Sequence, residues 1–99
     1  MIAPHDCRTM ADVRAAVDAL DGDLVALIAR RFAYMDAAAR IKPDRSAVRD
    51  EARKAQVIAN AAAAATAAGI PDGLAAQIWE TLVESSIAYE LRCWDRLKA

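Results

Sequence analysis

Arg31, Lys42 and Glu90 stand where apolar residues are due. A helical series that runs through Leu24 and Leu27 continues into Arg31, Met35, Ala38 and Lys42, so two cations interrupt one apolar face. About three turns separate them, which leaves them within about 20° of each other around the helix and roughly 16 Å apart along it. Two such cations can hold one small anion lying between them. The plainer reading is a snorkelling Arg31 and a Lys42 that merely favours the negative end of a helix. A second series, Trp79, Val83, Ser86, Glu90 and Trp94, has the same irregularity, with two polar members one turn apart. A carboxyl on a buried face needs a cation or a proton, because an unpaired buried charge costs several kcal/mol. An ordinary ion pair is the plain alternative to a catalytic role for Glu90.

Arg14 precedes Arg31 by between four and five helical turns, about 25 Å along the axis, and cannot serve the same small site within one chain. In an antiparallel dimer it can close a site built by the partner's Arg31 and Lys42. Other chemistries lack their residues. The single histidine, His5, leaves no His-based triad and no multi-histidine metal site. Cys7 and Cys93 fit no CxxC or zinc spacing and read as free thiols. Thirteen basic and 14 acidic residues give a net charge of -1, without the basic bias that nucleic acid or an anionic membrane surface asks for. The first ten residues have no apolar signal core, and no stretch has the length and hydrophobicity of a membrane span. A cytoplasmic location is the expectation.

The elements that must carry these residues are helices. Thr9 and Asp12 resemble a capping box that opens the apolar series Met10, Val13, Val17, Leu20, Leu24 and Leu27. The series passes Tyr34, Met35, Ala38 and Ile41 and stops at Pro43 and Asp44, which predicts helix 1 over about 10–41. Such a helix is about 48 Å long. A compact chain of this size is only roughly 33 Å across, so the exposed stripe needs another chain. A turn at Asp21-Gly22, giving a compact four-helix monomer, is the competing arrangement, but the apolar phase does not shift there. Ser46 is a candidate N-cap for helix 2, over about 47–68, with Val48, Ala52, Ala55 and Ile58 or Ala59 inward and Gly69 at its end. Helix 3, over about 72–97, starts near Pro71 and Asp72 and carries the stripes Leu74, Ile78, Leu82 and Trp79, Val83. The 99 residues thus form a single all-α domain of three helices, and much of the 57% apolar content is alanine, which favours helix while burying little area.

With these residues in place, the chain resembles the all-helical chorismate mutase family, and especially its isochorismate-pyruvate lyase branch. The carrying segments are ADVRAAVDALDGDLVALIARRFAYMDAAARIK, AVRDEARK and SSIAYELRCW, and the likeness extends from Asp6 to Trp94. The resemblance implies an intertwined homodimer with two equivalent sites, each using an arginine of the neighbouring subunit. It assigns Arg14 as that arginine, Arg31 as the main carboxylate binder and Lys42 as the lysine on the substrate's ether oxygen. Asp50 and Arg53 match polar residues of helix 2 that line the pocket. Ser86 resembles a serine near a substrate carboxylate, and Glu90 takes the place of a glutamine in many relatives. Lys54 departs from the pattern, standing where some mutases have a glutamate for the substrate hydroxyl.

The resemblance implies a small dicarboxylate substrate and a reaction that uses neither metal nor organic cofactor. Chorismate rearranges to prephenate in one pericyclic step, helped by holding a reactive conformer and stabilising charge that grows on the ether oxygen. Lys42 and a protonated Glu90 supply that stabilisation. Ser86 and Pro43 favour the mutase reaction as the first expectation. The alternative is isochorismate-pyruvate lyase, which uses nearly the same geometry to give salicylate and pyruvate. A non-catalytic helical dimer is the third possibility, against which the intact Arg14, Arg31 and Lys42 weigh.

Overall fold

A computed structural model describes residues 1–99 and contains three α-helices and no strand: α1, Met10–Ile41; α2, Glu51–Ala67; and α3, Leu74–Leu97. Short 3₁₀ turns at Pro4–Asp6 and Arg45–Ala47 precede α1 and α2. The chain divides into two units, Met1–Tyr34 and Met35–Ala99.

In the first unit, α1 starts on a reciprocal cap. The Thr9 hydroxyl accepts from the Asp12 N–H at 3.2 Å, while the Asp12 carboxylate accepts from the N–H groups of Arg8 and Thr9 at 3.0 and 3.3 Å. The helix runs through Asp21-Gly22 without a turn. Its apolar row is uncovered: Val17, Leu20, Leu24 and Leu27 are all about half exposed, at 46 to 55%.

The second unit has its core on α3. Val83 and Ile87 pack with Val48, and Val57, Ile58, Trp79, Leu91 and Trp94 close around them. Lys54, near the start of α2, reaches Glu84, while Ala65, near its end, shares a hollow with Ala75, so α2 and α3 run antiparallel.

The start of α2 differs from the sequence-based expectation. Asp50, not Ser46, is the N-cap, and its carboxylate accepts from the Arg53 N–H at 2.9 Å. Ser46 lies in the 3₁₀ turn, which places Val48 in the core from the connecting segment rather than from a helix face. Ala52, Ala55 and Ala59 are accordingly exposed, and the inward face of α2 is Lys54, Val57, Ile58, Ala61, Ala62 and Ala65.

α2 ends in a left-handed glycine cap. Gly69, at φ 85°, lets the Ile70 N–H reach the Ala65 carbonyl and its own N–H reach that of Thr66. Gly73, at φ 89°, makes the second bend, so α3 starts at Leu74 rather than at Pro71 or Asp72. Of the two apolar stripes expected on α3, Trp79 and Val83 face the core, whereas Leu74 and Ile78 are exposed.

Candidate active site

The polar residues of the α3 stripe are buried. Ser86 is 3% and Glu90 4% exposed, one turn apart on the face that carries Val83. Glu90 obtains the cation that a buried carboxylate requires: Lys42 Nζ donates to Glu90 Oε2 at 2.7 Å. Lys42 is the residue just beyond α1, its N–H closing the last turn on the Ala38 carbonyl, and Pro43 then leads the chain away. The Ser86 hydroxyl donates to the Leu82 carbonyl of its own helix at 2.7 Å, which orients its oxygen along the buried face.

The other candidates are distributed differently. Asp50 and Arg53 are exposed at the start of α2, where Asp50 caps the helix and the Arg53 guanidinium donates to Gln56 at 2.7 Å. Arg14 is exposed and Arg31 half-buried, both on the part of α1 that belongs to the first unit. Of the seven candidate side chains, the structure therefore joins Lys42 and Glu90 directly and sets Ser86 beside them on one face.

Lys54 is engaged on the α3 side. Its ammonium donates to Glu80 at 2.7 Å and Glu84 at 2.8 Å, and Arg49 binds Glu84 through two further hydrogen bonds. Arg49 and then Lys54 hold the Glu84 carboxyl well below the ordinary 4.5, at about 2. The hydrogen bonds to Glu80 and Glu84 raise Lys54 in turn, so its charge is fixed. These four groups, with Glu51 on Arg49, form an electrostatic clasp between the start of α2 and α3.

Two contacts between the end of α1 and α3 have no counterpart in the sequence argument. Tyr89 donates to Asp36 at 2.6 Å and the Cys93 thiol to the same oxygen at 3.0 Å. Asp36 is lowered chiefly by the Tyr89 hydrogen bond, and Tyr89 is pushed up to about 12, chiefly by Asp36. Asp36 lies off the apolar stripe of α1, so periodicity carries no signal for it. The second contact is the Trp94 indole N–H, which donates to the Lys42 carbonyl at 3.0 Å. Here a signal existed, because a tryptophan on a buried stripe needs an acceptor.

A half-buried lysine paired with a buried glutamate, with a serine one turn away on an all-helical chain, agrees with the resemblance noted above, and a family comparison decides it. The sequence model of chorismate mutase type II matches residues 13–91. The chain belongs to the chorismate mutase type II family. The match spans α2, Lys42, Ser86 and Glu90, together with Arg14 and Arg31. Among curated relatives, an isochorismate pyruvate lyase of Pseudomonas aeruginosa is 30% identical over 98 residues, covering 99% of this chain and 97% of that protein. This member of the family thus has a helical frame, Lys42 paired with buried Glu90, and a relative of nearly equal length named as an isochorismate pyruvate lyase. No helix is long and apolar enough to cross a membrane.

Proposed function

We propose that the chain is a chorismate mutase that rearranges chorismate to prephenate. The observation that carries this reading is the 2.7 Å contact of Lys42 with buried Glu90, beside buried Ser86, within the family match. The substrate brings two carboxylates, and Arg14, Arg31 and Ser86 are the groups assigned to them by resemblance, with Arg53 lining the pocket. Arginine suits that task because its planar fork of donors matches a carboxylate. Asp50, by the same resemblance, lines the pocket. In the reaction the ether C–O bond breaks as a C–C bond forms, and negative charge accumulates on the ether oxygen at the transition state. Lys42 meets that charge, and Glu90 donates to the same oxygen when it carries a proton. No nucleophile takes part, so the acceleration comes from orientation and electrostatics.

The homologous Pseudomonas protein supports a second reading, isochorismate-pyruvate lyase. Isochorismate carries the same enolpyruvyl ether and two carboxylates, so the same cations serve it. Ser86 and Pro43 favour the mutase reaction, as the resemblance has it. Under either reading the active form is an intertwined homodimer in which Arg14 enters the partner's site.

Supplying purified protein with chorismate and isochorismate in separate reactions, and identifying the products, tests the assignment. Prephenate from chorismate is the expected result. Salicylate and pyruvate from isochorismate alone would select the lyase, and turnover of neither would refute both.

A further inference from the structure

We infer that Trp94 is a positioning residue for Lys42, its indole N–H holding the main chain of the lysine whose ammonium meets Glu90. The inference rests on the proposed role of Lys42 at the ether oxygen. Lys42 sits where α1 ends, and the last carbonyls of a helix have no partner within it. Pro43, the next residue, has no N–H and turns the chain away. The Lys42 carbonyl is met from α3 instead, by Trp94 Nε1 at 3.0 Å. Glu90, one turn before Trp94, takes the Lys42 side chain at 2.7 Å.

The lysine is therefore fixed at both ends by the same helix. This matters because its stem is long and flexible, and an ammonium stabilises a transition-state charge only if it is already in place. Trp94 is itself secured: it packs against the Val48, Val83 and Ile87 cluster. Lys98, a further turn along, is exposed, donates weakly to the Arg40 carbonyl at 3.5 Å and has its ammonium 6.0 Å from the centre of the Trp94 ring, so its replacement is a comparison that alters the surroundings of Trp94 but keeps the indole N–H on the Lys42 carbonyl.

Trp94→Phe removes the donor while keeping an aromatic body. On whichever substrate the native protein turns over, kcat should fall about tenfold with KM within twofold, because Lys42 acts mainly in the transition state. Lys98→Met should stay within twofold in both. If circular dichroism shows that Trp94→Phe is misfolded, a benzothiophene analogue of tryptophan in a Trp79→Phe background removes the N–H without changing the shape. An unchanged kcat, or a KM raised as much as kcat is lowered, would overturn the inference.

A second measurement does not depend on turnover. The Lys42 ammonium, assigned with Lys42→Arg, should give a slowly exchanging ¹H–¹⁵N signal in the native protein that disappears in Trp94→Phe. Its persistence there would overturn the positioning role. If the native protein converts neither substrate, the functional reading fails while this signal still decides the inference about Trp94.

Discussion

Glu90 takes opposite parts in the two forms available to it. As a carboxylate it completes the ion pair with Lys42, the arrangement in this structure, and would repel charge developing on the ether oxygen. As a neutral acid it donates there. In the proposed reaction Glu90→Gln, which supplies a permanent neutral donor, should turn over at least as fast as the native protein, whereas Glu90→Ala should be slower by about a hundredfold. A Gln variant as slow as the Ala variant would leave Glu90 as a structural ion-pair partner only. That Lys42 and Glu90 stand out was legible in the sequence because each interrupts an apolar series, and an interruption is what periodicity detects; that they meet each other was not. Asp36, Lys54 and Glu84 lie on faces where charge is ordinary. Their partners are settled by how the helices approach each other, and the spacing along one helix says nothing about that.

At the scale of the elements, reciprocal capping at Thr9 and Asp12 and the glycine cap at Gly69 were readable from residue type alone, since each is a local contact within a few positions. The uninterrupted apolar phase through Asp21-Gly22 likewise corresponds to one continuous α1. The start of α2 was not readable. Ser46 and Asp50 are both good caps, and the choice falls to Asp50 because the intervening 3₁₀ turn delivers Val48 to the core. The inward face of α2 changes with that choice. What binds α2 to α3 beyond this small core is the clasp of Arg49, Lys54, Glu80 and Glu84, which gives stability a pH signature. A glutamate held below its ordinary value contributes stability that is fully present above about 4.5 and is lost as pH falls toward about 2. The clasp is partly solvated, Glu84 being 40% exposed, so salt weakens it. Thermal melts from neutral pH to about pH 2 should show the midpoint falling through this window. Glu84→Gln should lower the midpoint at neutral pH and reduce its change with acid. Equal acid slopes for the native protein and the variant would show that the clasp contributes nothing measurable.

For the whole molecule, the exposed row of Val17, Leu20, Leu24 and Leu27 on α1 supports the proposed homodimer, since an apolar surface of this kind is what a second chain covers. Sedimentation at micromolar concentration should give about twice the 10.6 kDa chain mass, and an active monomer would exclude the intertwined arrangement. The assembly also bears on the chemistry, because Arg14 and Arg31 are proposed to serve one substrate from different chains. Arg14→Ala and Arg31→Ala proteins should each be inactive on the substrate that the native protein converts. When they are mixed under conditions that exchange subunits, a mixed dimer has one site with both arginines intact and one with both lost. The turnover rate of that mixture is the decisive measurement. Recovery of a substantial fraction of native activity is the expected result, and no recovery despite demonstrated subunit exchange would contradict the shared site.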